Sequence, residues 1–418
     1  MNKPKLLVII NNFPPDLAGG AAVFGDMCQG LAERGFDVSV RCAYPYYPEW
    51  RDKSGKNGFK IWRYLDNQVA VERYGLFIPR NTNSLIGRLL HEASFLLSLL
   101  RSVGKGRQYD VVMAYCPAVS CLAFGVINKL VWRKPLWLNV QDLAAEAAGA
   151  SGLVRSNWLG SVLKGIQRWL FNRADVWSTI SPIMAEQLAP MRRRSQPLLM
   201  LPNWLNNSLS NNIAKARGET SQKPKQAHAV PRLLYAGNIG KKQNLLSLLS
   251  TLQKTEASFI FKIHGSGAQA SVIEDWITTT ADTRFVFGPF LDEAGFAEQL
   301  QWSDYFIISE TEDGGASFMP SKLIPGISSG TPILAICDAS GPLGREVEAW
   351  SLGPRLGWSQ LSELTAILSP ESSGSKNYLT WSENALSRSQ DYTRDRVIAQ
   401  FHAALSSLNT GALPNSDY

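Results

Sequence analysis

A lysine set among small hydroxyls and glycines is a way to hold an anion without a metal, and residues 310–336 concentrate such groups. This stretch, ETEDGGASFMPSKLIPGISSGTPILAI, lies between the apolar run Asp304 to Ser309 and the strand-like run Pro332 to Ile336. Gly314 and Gly315 let the chain double back, and Pro320 suits the first position of a helix. Ser321 and Lys322 then fall in the first helical turn. A lysine there opposes the helix dipole unless an anion is present, so the pattern predicts a phosphate or carboxylate site. A plain loop is the alternative.

Other loops have similar chemistry. Gly19 and Gly20 follow the strand-like KLLVII and precede a helical pattern, where glycine admits a phosphate or sugar to the backbone. They also fit a simple tight turn. Residues 236–243, AGNIGKKQ, place Gly237, Asn238, Lys241, Lys242 and Gln243 before a helix, as a diphosphate cradle would. The lysines there also fit a solvated helix start. Gly265 and Gly267, in HGSG after FIFKI, form a further close-approach loop or a bland turn. Asp142 ends the run PLWLNVQ and is placed to act as general base or to orient an acceptor hydroxyl, or to cap a helix.

Several chemistries find no support. The chain has no D-x-D triplet, no G-x-G-x-x-G, no G-x-S-x-G and no P-loop motif. Its four His and five Cys show no zinc spacing, and the odd cysteine count reads as reduced thiols in a cytosolic protein.

These loops need a frame, and the frame is repetitive. KLLVII, a Gly-rich loop, the helical AAVFGDMCQGLAERG and the strand DVSVRCAY open a doubly wound α/β domain. DVVMAYC, PLWLNVQ, ADVWSTIS and LLMLPNW continue it, and after the polar stretch 206–230 the pattern restarts with PRLLYAG. At 418 residues the chain is too long for one ordinary core. The expected division is a Rossmann-like domain over 1–205, a linker or long loop over 206–230, a second Rossmann-like domain over 231–384 and a helical segment over 385–418. Trp381 to Leu408 is expected to be one long helix. Ligands of open parallel sheets bind beyond the carboxyl ends of the strands, which selects the loops named above.

The formal net charge of +7 favours an anionic partner. No basic run interleaves with aromatics, so a nucleic-acid module is not indicated. The amino-terminal apolar run is too short for a signal peptide, and no stretch is long and apolar enough to span a bilayer. Two apolar segments with basic residues, Leu85 to Val103 and Arg155 to Arg173, suit either an anionic bilayer surface or the protein core.

FPPDLAGGAA, LPNWLN, LLYAGNIGKKQNL, IHGSG and PSKLIPGISSGTPILAI together resemble the GT-B glycosyltransferases of the large retaining family four. Within it the chain is similar to the capsular and exopolysaccharide, colanic-acid-type subgroup. The resemblance covers nearly the whole sequence. It implies two Rossmann-like domains facing each other, with a terminal helix packing back on the first. It also implies a nucleotide-sugar donor in the second domain, a lipid-linked saccharide acceptor in the first, hexosyl transfer with retained configuration, and no metal or other cofactor. Gly20 would approach the donor, and Ser321 and Lys322 would face it. Asn238 and Gln243 stand where the family has Arg and Lys, and Lys241 and Lys242 would replace that charge. Pro325 and Ser317 occupy the positions of the family's Glu pair, and Gln141 and Asp142 stand where many members carry His. Those departures keep a second expectation open, a non-catalytic GT-B protein serving as binding or scaffold partner in polysaccharide assembly. The expected location is cytoplasmic, peripheral at the inner membrane face.

Overall fold

The computed structural model describes residues 3–16, 20–47, 49–55, 60–81, 84–142, 165–218, 224–312, 320–369 and 376–416. The chain divides into two compact units, Met1–Asn203 with Asp395–Tyr418, and Trp204–Arg394.

The first unit is built on eight strands: β1 Lys5–Ile9, β2 Asp37–Ala43, β3 Trp62–Asp66, β4 Val69–Tyr74, β5 Val111–Cys116, β6 Leu136–Val140, β7 Val176–Thr179 and β8 Leu198–Met200. Their order is β3-β4-β2-β1-β5-β6-β7-β8. All pairings are parallel except β3 with β4. Strands β5 and β6 are buried at every position, as their unbroken apolar runs require when helices cover both faces. The antiparallel β3–β4 hairpin turns at Asn67 and Gln68, with φ of 44° and 74°. Two successive positive φ values match the right-handed twist of the flanking strands. Gln in place of Gly at the second position hides that turn in the sequence.

The second unit carries β9 Arg232–Asn238, β10 Ile260–Ser266, β11 Phe285–Gly288, β12 Tyr305–Ser309, β13 Ile333–Ile336 and β14 Arg355–Leu356. Their order is β11-β10-β9-β12-β13-β14, with every pairing parallel. Each sheet reverses its strand order beside its first strand, between β1 and β5 and between β9 and β12. Such a switch point leaves a crevice at the carboxyl ends of the strands.

The stretch expected as a linker is partly helical. Asn207–Arg217 forms a helix capped by Asn206, whose side chain accepts from the Leu209 amide at 2.8 Å. Ile213 is buried in the core, and Arg217 donates to the Ser329 carbonyl. One apolar anchor and one buried cation therefore hold a composition that reads as loop. The expected long terminal helix is also broken, into Lys376–Ser389 and Arg394–Asn409, with a 3-10 turn at Gln390–Tyr392. The second of these helices lies on the first unit. Phe401 stacks on Trp137 with ring centroids 5.7 Å apart, and Arg34 pairs with Asp395 at 3.1 Å.

Lys225 is a buried cation that fastens the start of the second sheet. Its Nζ donates to the Leu300 carbonyl at 2.7 Å, to the Ser303 carbonyl at 2.5 Å and to Thr331 Oγ1 at 3.0 Å. Burial pulls its ammonium down to about 7. In the unfolded chain a lysine titrates near ~10.4, so between these values the unfolded state binds more protons and stability rises with pH. Lys225→Met is expected to lower unfolding free energy by roughly 2–4 kcal/mol through the three stranded acceptors. It should also flatten the rise between pH 7 and 10; urea titrations across that range check both effects.

Candidate functional site

The sequence-selected residues fall into one group in each unit. In the second unit they assemble at the switch point between β9 and β12. Lys322 precedes the helix Leu323–Ser328 as its N-cap residue, with φ −66°. The expected helix start at Pro320 is therefore displaced, and Ser321 and Lys322 lie before the first turn. A turn in which the Leu323 amide donates to the Pro320 carbonyl at 3.0 Å takes its place. Pro325 is tolerated within the six-residue helix because the first-turn amides have no intrahelical acceptor. Gly314, Gly315 and Ser317 lie outside the described residues.

The Lys322 side chain turns onto Tyr235 of β9. Its Nζ sits 3.8 Å from the ring centroid and donates to the phenol oxygen at 2.5 Å. The phenol in turn donates to the Asn238 carbonyl at 2.5 Å, so the ammonium and the loop after β9 are held by one relay. Gly237 makes room for this. Its φ is 120°, and a Cβ there would stand 2.9 Å from Lys322 Cε. At Gly265 a Cβ would stand 2.0 Å from the Gly237 carbonyl oxygen. At Gly267, with φ 140°, it would stand 2.6 Å from the Ile239 carbonyl oxygen. The loops after β9 and β10 thus touch backbone to backbone, and the Ile239 amide donates to Ser266 at 2.8 Å.

The remaining members shape the rim. Lys241 and Lys242 are exposed on the 3-10 turn Lys241–Gln243. Gln243 gives its Oε1 to the Gly240 amide at 2.9 Å, a contact that holds the turn itself. The Lys242 carbonyl accepts from the Thr311 amide at 2.8 Å, and the Gln243 carbonyl from Ser309 Oγ at 2.8 Å. These bonds join the loop after β9 to the end of β12. Asn238 and Ser321 are exposed.

Glu310 is a member that motif reading passed over. It directly follows the fully buried β12 and is itself 6% exposed. Burial pushes its carboxyl up to about 7, against the pull of Lys242 and Lys322. Burial likewise brings Lys322 down to about 7, against the pull of Glu310. The available signal was an acid placed at the end of a strand with four consecutive apolar residues, Tyr305 to Ile308. Together the loops bring two exposed ammonium groups, one half-buried cation and glycine-lined backbone to one point.

In the first unit the structure groups Gly20 and Asp142 around Tyr115 at the end of β5. Gly20 has φ 78° at the N-cap of the helix Ala21–Glu33, and a Cβ there would meet Phe24 at 2.7 Å and the Tyr115 hydroxyl at 3.2 Å. Phe24 and Tyr115 rings meet edge-on at 4.3 Å. The Asp142 carbonyl accepts from Cys116 Sγ at 3.6 Å, and burial together with the neighbouring Cys116 and Asp142 charges pushes the Tyr115 phenol up. Gly19 lies outside the described residues. Among the described residues no group of three or more His, Cys, Asp or Glu is arranged to hold a metal.

Parallel sheets with glycine-lined loops at their switch points match GT-B glycosyltransferase structures. Residues 18–204 match the family model of the glycosyl transferase 4-like domain. The chain is 25% identical over 356 residues to a glycosyl transferase of Escherichia coli K12 assigned to colanic acid biosynthesis, WcaI, covering 83% of this chain and 86% of that protein. Among solved structures, sucrose-phosphate synthase of Thermosynechococcus elongatus superposes with a TM-score of 0.72 at 15% identity, covering 98% of this chain and 100% of that one. HepE of Anabaena, in complex with UDP and glucose, superposes with a TM-score of 0.62 at 15% identity, covering 97% and 100%. The fold is therefore GT-B, and residues 18–204 resemble the glycosyl transferase 4-like domain.

The Glu310 carboxylate opposes the loss of charge at Lys322, so Glu310→Gln is expected to move the Lys322 titration further below about 7. A pH titration of 13C-labelled lysine by NMR reads this, and an unchanged or higher midpoint contradicts the pairing.

Proposed function

We propose that the protein is a metal-independent, retaining hexosyltransferase. It moves a sugar from a nucleotide-diphosphate donor to a saccharide acceptor, lipid-linked, in polysaccharide biosynthesis. The observation that carries this reading is the convergence of Lys322, Gly237 and Gly265 at the β9–β12 switch point. In the reaction the bond from the anomeric carbon to the diphosphate oxygen breaks. A bond to an acceptor hydroxyl oxygen forms, and the hydroxyl proton passes to the released nucleoside diphosphate. The difficulty lies in the charge left on the diphosphate. Lys322, with Lys241, Lys242 and the loop amides, is placed to hold that charge, the electrostatic contribution that usually dominates such catalysis. Asn238 and Gln243 shape the seat, Ser321 stands at its rim, and Gly265 and Gly267 let the two loops close on each other. Asp142, with Gly20 beside it in the first unit, serves the acceptor side. The UDP complex of HepE supports a nucleoside diphosphate as the ligand class, and the colanic acid assignment of the Escherichia coli relative supports the pathway class.

A second reading has one observation in its favour: Pro325 stands where the resembled family carries a carboxylate. A GT-B protein lacking that group would bind its ligand without transfer and act as a scaffold. Incubation with a panel of UDP- and GDP-sugars separates the two. Release of the nucleoside diphosphate supports the transferase, and binding without turnover supports the scaffold.

A membrane-facing role in the cytoplasm fits the surface of the first unit. The helix Leu85–Leu100 exposes Ile86, Leu89, Leu90 and Leu97 beside Arg88, and Ile166 and Trp169 are also exposed. Residues 155–164 of the second basic segment lie outside the described residues. Among the described residues no helix is long and apolar enough to cross a membrane. Interfacial binding therefore predicts sedimentation with vesicles containing phosphatidylglycerol and none with neutral vesicles.

Lys322→Ala is expected to reduce transfer by roughly a hundredfold at saturating donor, measured by nucleoside diphosphate release. Full activity in that variant refutes the role of the loop. Because Lys322 loses its proton near pH 7, UDP affinity should fall by up to about tenfold per pH unit above that value. Ionisation of Glu310 over the same range acts in the same direction.

A further inference from the structure

The carboxyl ends of β1 and β2 hold an aromatic cluster that the donor chemistry leaves unused. Trp50, in the loop after β2, adopts φ 51°, a left-handed conformation that a bulky side chain enters only at a cost. Its ring is held by three neighbours, Tyr46 at 5.5 Å, Tyr47 at 6.1 Å and His91 at 5.4 Å between centroids. His91 is fixed in one tautomer. Its Nδ1 faces the Phe77 carbonyl at 2.7 Å and must donate, so Nε2 accepts from the Tyr46 hydroxyl at 3.2 Å. Tyr46 and His91 are buried, whereas Tyr47 and Trp50 remain partly exposed.

The loop after β1 meets this cluster. Asp16 Oδ1 accepts from the Tyr46 and Tyr47 amides at 3.2 and 3.3 Å and so fixes the backbone that carries the rings. Its other oxygen, Oδ2, is buried and has no donor, and Asn12 Oδ1 in the same loop is in the same condition. Buried acceptors without donors are uncommon and costly, and they mark places where a polar ligand or its water completes the network. A strained, partly open indole on a loop fixed by Asp16 is the recognition chemistry of a neutral sugar, whose axial C–H face packs on the ring.

We propose that Trp50, positioned by Tyr46, Tyr47 and His91 on a loop whose backbone Asp16 holds, is a stacking platform for a neutral hexopyranosyl unit of the acceptor. This inference rests on the glycosyltransferase reading and adds to it the acceptor's class and seat. Anionic ligands are disfavoured, because the loop's spare groups are acceptors.

The test uses the full chain and two probes, octyl β-D-glucoside and octyl β-D-galactoside below their micellar concentrations, read by saturation-transfer-difference NMR. At least one is expected to show transfer to its ring protons, with affinity weakened about tenfold or more in Trp50→Asn and less than threefold in Trp50→Phe. Asn tolerates the left-handed backbone, so the first variant removes the ring without adding strain. Transfer confined to the octyl chain, no binding of either glycoside, or unchanged affinity in Trp50→Asn each overturns the platform. UDP affinity, measured on the same samples, should be equal in wild type and both variants. Absence of UDP binding throughout instead counts against the donor reading, so the two failures are separable.

Discussion

Lys322 has been half withdrawn from water and set against the face of Tyr235. An ammonium loses several kcal/mol of hydration when buried, and a ring quadrupole plus one neutral hydrogen bond restores only part of it. The fall of its pKa to about 7 records the remainder. Glu310, itself half-protonated near neutrality, supplies a distant and partial countercharge. The protein therefore carries an unfinished electrostatic arrangement at the centre of its second unit. A multiply charged anion lodged against Lys322, Lys241 and Lys242 would complete it, and would raise the lysine pKa as it bound.

Everything around that lysine follows from bringing three loops to the same point. The parallel order β11-β10-β9-β12-β13-β14 puts the ends of β9, β10 and β12 side by side. Such close approach excludes side chains from the contact. Gly237 clears space for the lysine stem, Gly265 for the carbonyl of Gly237, and Gly267 for the carbonyl of Ile239. The first sheet obeys the same rule with other chemistry. Its switch point brings Gly20 to Tyr115, and the neighbouring β1 and β2 ends gather rings instead of cations. One topology has been used twice, once for charge and once for aromatic surface.

Much of this was legible in the sequence. Unbroken apolar runs such as KLLVII and YFIIS mark buried parallel strands, and Gly237, Gly265 and Lys322 stand out by type and position. What escaped reading depended on contacts distant in the chain. Asn207–Arg217 looks like linker until Ile213 joins the core of the second sheet and Arg217 reaches the Ser329 carbonyl, more than a hundred residues on. The β3–β4 hairpin lacks the Asn-Gly turn that would announce it. The helix start at Pro320 fails because Lys322 is drawn away to Tyr235, and Glu310 has significance only once the walls of its pocket exist. Trp50 gives no local sign of its left-handed backbone, since that conformation is imposed by Tyr46, Tyr47 and His91 around it.

The helix Arg394–Asn409 belongs to a unit whose other members all precede residue 204. During synthesis the first sheet must therefore wait, with the Trp137 side of its core uncovered, while the whole second unit is made. That unit is continuous in sequence and can close as soon as it leaves the ribosome. The nascent chain thus passes through a stage in which its later half is finished and its earlier half is not, a window in which chaperones have a defined apolar surface to protect.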